Sequence, residues 1–398
     1  MKKGIVTSGI LSFVLLILGA SCTEGTKRGE NLFQPVAAKV SGIHFSNDLP
    51  LDDDLNILNY IYYFNGGGVA VGDINNDGWD DLFFTGNQVS NQLYLNQGGL
   101  KFKDVTKESG LASEGWSSGV SMVDINTDGW LDIYVCRSGH LDPDQRKNLL
   151  YINQKDGTFV EMAQEYGLAD PAYSTQAAFF DYDLDGDLDM YLLNHMHQMT
   201  GMNNPVPRKL NGESESTDKL YRNDGVGSLG HPTFTEFSQE AGITIEGFGL
   251  GVGISDLNQD GYPDIYVSND FISNDILYIN QGDGTFIDRT KAYLSHQSHN
   301  GMGNDIADIN NDGLIDILVL DMLPSDNRRR KLMLNKPNYN LFEFSKSLGY
   351  QPQYMRNTFQ LNNGEHAPFS EVGQLMGISS TDWSWGGLMA DYDGDGLK

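Results

Sequence analysis

Short apolar runs alternate with acidic segments along most of the chain. One nine-residue pattern, Asp-x-Asp/Asn-x-Asp-Gly-x-x-Asp, begins at residues 73, 124, 181, 256 and 308, and a sixth copy begins at residue 391. Each complete copy is followed by a β-branched or aromatic run, such as residues 82–84 (LFF) or 133–135 (IYV). Such runs are typical of buried β-strands. The pattern therefore predicts acidic loops that lead directly into strands.

Three further elements accompany the loops. Small apolar residues precede them at 67–72, 118–123, 249–254 and 386–390, where glycine lets neighbouring backbones approach closely and we expect innermost strands. Segments such as 91–96 (NQLYLN) predict third strands. Fourth strands are expected to begin at Phe102, Phe159, Phe234, Phe286 and Phe369. Because the loops are 51 to 83 residues apart, each unit has room for four short strands. We predict an all-β fold, a β-propeller of four-stranded blades.

The loops have the chemistry of a calcium site. Oxygen side chains at positions 1, 3, 5 and 9 and the carbonyl of position 7 are ligands that suit Ca²⁺, while Mg²⁺ demands a tighter octahedron. The predicted ligands are Asp73, Asn75, Asp77, Trp79 and Asp81; Asp124, Asn126, Asp128, Trp130 and Asp132; Asp181, Asp183, Asp185, Asp187 and Asp189; Asp256, Asn258, Asp260, Tyr262 and Asp264; Asp308, Asn310, Asp312, Leu314 and Asp316; and Asp391, Asp393 and Asp395. Without a metal, these carboxylates would repel each other. The alternative is a set of merely acidic turns.

The residue at position 12 of each loop argues against an EF-hand. An EF-hand loop needs a bidentate Glu at position 12, inside a helix. Position 12 is instead occupied by Phe84, Val135, Leu192, Val267 and Val319. The loops are therefore predicted to lead into strands.

Charge and composition limit the function classes. The chain of 398 residues has 54 acidic and 26 basic residues, a formal charge of −28. Such a chain repels a nucleic-acid backbone, and five bound Ca²⁺ ions would still leave −18. We expect no nucleic-acid partner. The sequence contains no nucleophile elbow, phosphate-binding loop or dinucleotide fingerprint, so no catalytic residue is predicted.

The N-terminus has the pattern of an export signal. Lys2 and Lys3 are followed by an apolar run from residue 10 to 18, which is too short to span a bilayer, and by small residues before Cys22. We expect residues 1–21 to be a signal peptide and Cys22, followed by a polar tether to residue 31, to carry lipid as in bacterial lipoproteins. The alternative is an ordinary cleaved signal. With Cys22 lipidated, Cys136 would be the remaining thiol, so no intramolecular disulfide is expected.

The repeated unit resembles the FG-GAP repeat of integrin α-subunit propellers and their bacterial relatives. Segments 59–73 (NYIYYFNGGGVAVGD) and 321–326 (DMLPSD) resemble VCBS/FG-GAP repeat lipoproteins of Bacteroidetes-type bacteria, which are related to cartilage acidic protein. The resemblance covers residues 32–398 and implies about seven blades, with structural calcium in the loops. It also implies that a small domain of the ASPIC/UnbV type can follow. Since the sixth loop is cut short at Lys398, we expect five complete blades and the start of a sixth.

Four other features have both a functional and a non-functional interpretation. His195 and His197 could share a transition metal on a strand, and His296 and His299 have similar spacing, but no third ligand is identifiable. The basic residues 328–331 could contact lipid headgroups or an acidic partner, or simply be solvated. The insertion 199–217 is a candidate contact loop.

We therefore predict an exported, lipid-anchored module of the bacterial cell envelope, at the outer membrane, that binds a protein or a glycan. Calcium is its expected structural cofactor, with about one ion per blade loop. The alternative is an enzyme or enzyme subunit that uses the propeller channel, because a fold does not fix a function. Convergent polar or titratable groups at the channel mouth would favour that alternative.

Overall fold

The computed structural model describes residues 32–50, 53, 55–197, 201–333, 338–364 and 367–398. The predicted signal peptide, Cys22 and the tether lie outside these residues. Within the described ranges, no helix has the length and apolar character needed to cross a membrane.

Five antiparallel four-stranded sheets follow one another along the chain, each with its strands in chain order. The first contains β1 (Val69–Gly72), β2 (Asp81–Phe84), β3 (Gln92–Asn96) and β4 (Phe102–Asp104); the second β5 (Ser117–Val123), β6 (Asp132–Arg137), β7 (Leu149–Asn153) and β8 (Phe159–Glu161); the third β9 (Tyr173–Phe180), β10 (Asp189–His195), β11 (Lys219–Val226) and β12 (Pro232–Glu236); the fourth β13 (Gly249–Ser255), β14 (Asp264–Asn269), β15 (Ile276–Asn280) and β16 (Phe286–Asp288); and the fifth β18 (Gly303–Ala307), β19 (Asp316–Leu320), β21 (Thr358–Leu361) and β22 (Ser370–Glu371). A short parallel pair, β17 (Gln297–Ser298) and β20 (Gln353–Tyr354), lies beside the fifth sheet.

The sheets are the blades of a β-propeller. Their innermost strands contact one another in sequence, β1 with β5, β5 with β9, β9 with β13 and β13 with β18. Separate hydrophobic clusters fill the spaces between successive blades. Between the first two blades, for example, Phe83 and Leu93 pack with Ile133 and Val135. Every residue of β14 is buried, as expected for a strand covered by neighbouring blades on both faces.

Short helices precede four of the blades in a repeated way. They are α1 (Ala38–Ser41), α2 (Ala163–Tyr166), α3 (Ser238–Ala241) and α4 (Thr290–Tyr293). Gly167 follows α2 at φ 79°, and a Cβ there would lie 2.5 Å from the carbonyl oxygen of Phe234 in the next blade. Gly42 after α1 has the same φ and the same 2.5 Å approach to Phe102. Glycine is required because these turns combine a left-handed φ with a close backbone contact.

One predicted innermost strand does not form. Residues 386–390 were expected to form an innermost strand but have no strand assignment. They lie beside β18, with Met389 donating to Asp305, yet no other described strand pairs with them to form a ladder.

The region between Asp321 and Asn357 forms α5 (Asn327–Met333) and α6 (Tyr339–Ser347). A single-turn 3-10 helix, Pro143–Gln145, lies between β6 and β7.

Candidate metal centres

The first aspartate of each loop is held by two backbone N–H groups. Asp73 accepts from Asp77 at 3.0 Å and from Gly78 at 2.7 Å. The same pair of bonds forms at Asp124, Asp181, Asp256, Asp308 and Asp391. The loop can bend this sharply because its sixth residue is a glycine with positive φ, 89° at Gly78. All six loops therefore share one conformation around position 1.

Three carboxylates converge in the third loop. Single oxygens of Asp181, Asp183 and Asp189 all lie within 4.8 Å of one another. One oxygen of Asp183 and one of Asp187 are buried without a hydrogen-bond partner. Burial, followed by repulsion from Asp185, Asp183 and Asp181, raises the pKa of Asp187 to about 6. The loop thus holds more negative charge than its own hydrogen bonds satisfy.

The sixth loop repeats this arrangement without its ninth position. Oxygens of Asp391, Asp393 and Asp395 also lie within 4.8 Å of one another, and all three residues are exposed. Loops one, two, four and five carry Asn at position 3 and so lack a carboxylate there. In loops one, four and five the Asn amide donates to the position-5 aspartate, as from Asn258 to Asp260 at 2.8 Å. These three loops therefore have an internal donor that partly satisfies the remaining carboxylates.

The aspartate at position 9 connects the loop to the third strand of its blade. Asp264 accepts from Leu257 in the loop at 2.9 Å and from Asn280 in β15 at 2.9 Å. Equivalent bonds form at Asp81, Asp132, Asp189 and Asp316, and all five residues are buried. Burial raises the pKa of Asp264 to about 7 although these hydrogen bonds oppose the rise. Each position-9 carboxylate is thus a buried acid whose hydrogen bonds connect the loop to the third strand of its blade.

The donor set fits a hard divalent cation. Oxygen ligands at 2.3–2.6 Å from one ion must lie within about 5 Å of each other, which the third and sixth loops satisfy. The unpartnered oxygens of Asp183 and Asp187 are positions where an ion would replace missing hydrogen bonds. The carbonyl oxygens at position 7 remain predicted calcium ligands. They belong to Trp79, Trp130, Asp187, Tyr262 and Leu314.

Asparagines couple the loops of neighbouring blades. The side chain of Asn280 in the fourth blade donates to the carbonyl oxygen of Tyr182, in the loop of the third, at 2.7 Å. Asn153 makes the same bond to Ile74, and Asn362 to Leu257. These asparagines end the third strands. A conformational change in one loop therefore acts directly on the next blade.

The opposite end of the propeller is closed by aromatic residues. Tyr60, Tyr62 and Tyr63 are buried and pack with Trp116 and Phe248. We call residues 60–63 the axial plug. Its hydroxyls contact residues that occupy equivalent positions in successive blades: Tyr60 lies 2.8 Å from Ser138 and 3.1 Å from His195, and Tyr62 donates to Asp270 at 3.4 Å. The plug thus joins three blades across the channel mouth.

His195 does not form a metal site with His197. Its Nε2 faces the hydroxyls of Tyr60 and Ser138, and its Nδ1 lies 3.1 Å from the hydroxyl of Thr175. Burial, with a smaller contribution from His197, lowers the pKa of His195 to about 3. It is therefore a neutral histidine with both ring nitrogens engaged. Sequence reasoning missed this cluster because its members are far apart in the chain.

The remaining candidate residues have structural partners. His296 lies 3.1 Å from Glu371, which also accepts from Arg356 at 2.9 Å, and the backbone N–H of His299 donates to Asp321. In the basic run 328–331, which lies in α5, Arg329 pairs with Asp382. The insertion 199–217, described from residue 201, packs over the third blade, where Glu246 accepts from Lys209.

Comparison with known proteins agrees with the repeat assignment. Residues 73–135, 139–192 and 256–319 match the family described as FG-GAP-like repeat. Cartilage acidic protein 1 of Homo sapiens is 24% identical over 434 aligned positions, covering 98% of this chain and 62% of the human protein. Cartilage acidic protein 1 of Xenopus tropicalis is 24% identical, covering 94% of this chain and 60% of that protein. The chain thus spans about three fifths of the relatives' length.

Among solved structures, the V. cholerae biofilm matrix protein Bap1 aligns over 63% of this chain and 59% of its own, at 9% identity. The TM-score is 0.29, below the level that indicates a common fold.

Proposed function

Because this chain carries FG-GAP-like repeats and is a relative of cartilage acidic protein 1, we propose that it is a calcium-stabilised interaction module of the bacterial cell envelope. Its blades would present loops to a protein or glycan ligand. Calcium would be a structural cofactor held in the blade loops. Lipid at Cys22 would tether the propeller to the outer membrane after removal of residues 1–21.

One observation carries the calcium proposal: the oxygens of Asp181, Asp183 and Asp189 converge while two buried oxygens of the same loop have no partner. An ion there would neutralise the carboxylates. Because Asp189 also accepts from Asn223 in β11, the ion's effect would reach the third strand of that blade. Binding to the folded state alone would then raise the stability of the blade.

Binding is favoured over catalysis by the state of the channel mouth. Polar groups do converge there, as the enzyme alternative requires. However, Ser138, His195 and Tyr60 are each at most 3% exposed and bond to one another. Both ring nitrogens of His195 are engaged by hydroxyl groups, so neither is free to act as a base toward a substrate. We therefore assign the cluster a role in holding the blades together, with ligand binding at other surface loops of the blades.

Export and anchoring have a direct test. Cells expressing the full chain are grown with an alkyne analogue of palmitate, and the protein is examined for label and for membrane association. We expect label on the wild type and none on Cys22→Ala, with Cys136→Ser as the matched control that keeps the label. An unlabelled wild type in the soluble fraction would overturn the anchor.

The binding role is tested with the mature protein and purified outer-membrane preparations. Fluorescently labelled protein should bind saturably in Ca²⁺, lose binding in chelator and regain it when Ca²⁺ is restored. Heat-denatured protein is the control for non-specific adsorption. Non-saturable binding, or saturable binding that is indifferent to chelator, would contradict a calcium-stabilised interaction module.

A further inference from the structure

A polar cleft lies between the second and third blades, at the end away from the calcium loops. Its volume is about 530 Å³, within the range of ordinary ligand sites. Residues 212–217 form one wall, β9 and β11 begin at its floor, and the loop before β7 supplies Arg146. Ala172, Pro171 and Ile243 add small apolar surfaces. It is a concave site outside the metal loops and outside the axial plug.

Two buried polar atoms in this cleft have no partner in the described chain. They are the hydroxyl of Thr217, a residue 8% exposed, and Nε of Arg146. Buried polar groups in folded proteins nearly always have a hydrogen-bond partner, so each unpartnered group needs an explanation. One of these groups is a donor, and the other can both donate and accept. A ligand that carries hydroxyl groups, which can both donate and accept, would satisfy the two together.

The cations in the cleft are already held. Lys219 lies 2.5 Å from Asp170. The guanidinium of Arg146 lies 4.1 Å from the centre of the Tyr173 ring and donates through Nη1 to two backbone carbonyls, of His140 and Leu141. With Nη1 occupied, the edge of the guanidinium that carries Nε is left for a ligand. That edge can donate to neutral or anionic oxygens alike, so the charge of the surrounding rim decides between them.

The rim of the cleft is acidic. Glu213, Glu215 and Glu236 are exposed lining residues, and Asp218 is buried in the floor, where Asn194 and Tyr191 donate to it. In a chain with a formal charge of −28, this rim disfavours an anionic ligand. Exposed carboxylates are good acceptors for neutral hydroxyl groups. The polar lining also gives a wholly apolar ligand few favourable contacts.

We propose that this cleft binds a neutral carbohydrate. Sugar hydroxyls would accept from Nε of Arg146, exchange a hydrogen bond with Thr217, and donate to Glu213 and Glu215. The C–H faces of the sugar would lie against Pro171, Ala172 and Ile243. This inference rests on the proposed interaction function and narrows its ligand to a neutral glycan.

The test is isothermal titration of the calcium-loaded mature chain with neutral tetrasaccharides of glucose (α- and β-linked), mannose, galactose and N-acetylglucosamine. We expect saturable binding of at least one, weakened about ten-fold by Thr217→Val and by Arg146→Lys. Thr285→Val and Arg222→Lys are matched controls in other parts of the propeller, and we expect wild-type affinity from both. Melting temperature in Ca²⁺ confirms that each variant is folded.

Three results would overturn the assignment. The first is no binding of any neutral tetrasaccharide at millimolar concentration by a protein that still binds outer-membrane preparations; this leaves the interaction function intact but removes the neutral carbohydrate. The second is sugar binding that Thr217→Val and Arg146→Lys do not change, which places the sugar elsewhere. The third is tighter binding of a tetrasaccharide of galacturonic acid, which contradicts the neutral class. Failure to bind envelope material at all would instead count against the interaction function.

Discussion

The hydroxyl of Tyr60 lies 3.1 Å from Nε2 of His195, a residue 135 positions later in the chain. This contact connects the segment before the first blade to the end of a strand in the third. Ser138 of the second blade also contacts this hydroxyl, at 2.8 Å. The propeller is thus held at both ends, by asparagine hydrogen bonds between neighbouring loops at one and by the axial plug at the other.

Removing the Tyr60 hydroxyl should destabilise the fold. Tyr60→Phe keeps the ring but loses the bonds to Ser138 and His195, so we expect the free energy of unfolding to fall by about 1–3 kcal/mol. The measurement is urea unfolding in excess Ca²⁺. Tyr339→Phe, at a residue 73% exposed, is the control and should change little. Equal effects of the two substitutions would contradict a structural role for the plug.

Asn280→Ala tests the hydrogen bond between the third and fourth blades. This change removes the bond to the Tyr182 carbonyl of the neighbouring blade, and the lost bond leaves a buried acceptor. Asn223→Ala is the matched control, because its side chain donates to Leu188 in its own blade at 3.2 Å. We expect Asn280→Ala to cost about 1–2 kcal/mol more than the control. Unfolding in urea compares them, and a larger loss from Asn223→Ala would refute the coupling of blades.

Charge in the third loop should have opposite effects with and without calcium. Asp183→Asn removes one of the crowded carboxylates and gives the loop the Asp-x-Asn pattern of its neighbours. We expect a higher melting temperature in chelator, because repulsion falls, and weaker Ca²⁺ binding by about 1 kcal/mol in the third loop. Calorimetric titration and thermal melts give both quantities.

The reciprocal change is Asn258→Asp in the fourth loop, which replaces a donor to Asp260 with a second carboxylate. It should lower the melting temperature in chelator and strengthen Ca²⁺ binding. If both variants shifted in the same direction in chelator, carboxylate repulsion would not govern the metal-free loops.

The buried carboxyl of Asp270 should make stability depend on pH. Burial raises its pKa to about 7, while the Phe271 N–H opposes the rise and Asp321 adds to it. Because the folded pKa exceeds the unfolded value, the folded state holds the extra proton. This contribution is fully present below about pH 4 and is lost as pH rises through 7.

Asp270→Asn should remove that dependence. From about pH 5 to about pH 7, the wild type should lose up to about 1.4 kcal/mol per pH unit relative to the variant. Urea unfolding at saturating Ca²⁺ measures both proteins across the range, so effects of pH on the loops are common to them. Parallel profiles would show that Asp270 does not titrate in this range.

The blades could be predicted from the sequence because their signals are local. Each acidic loop fixes where two strands begin and end. The fourth strands start at Phe102, Phe159 and Phe286 as expected, and one residue after Phe369, whereas β12 starts two residues before Phe234. The loop geometry also follows from spacing, since the glycine at position 6 adopts a positive φ, such as 89° at Gly78, that strongly favours glycine. The calcium that these loops are expected to hold stays a prediction.

The axial plug and the polar cleft could not be predicted in this way. Tyr62 meets Asp270 across 208 positions, and an aromatic run such as 59–64 gives no indication of which blade residues it contacts. Likewise, Thr217 and Arg146 share a cleft because two blades meet there. Residues 386–390 show the converse limit: a strand-like sequence forms no strand where no strand of the described residues completes the ladder.

Thermal unfolding of the mature protein in excess Ca²⁺ and in chelator, with bound metal counted by elemental analysis, tests whether calcium in the blade loops stabilises the propeller. We expect a markedly higher melting temperature in Ca²⁺ and about five or more calcium ions per chain. The same melting temperature in both conditions, with no calcium bound, would contradict it and would leave the loops as acidic turns.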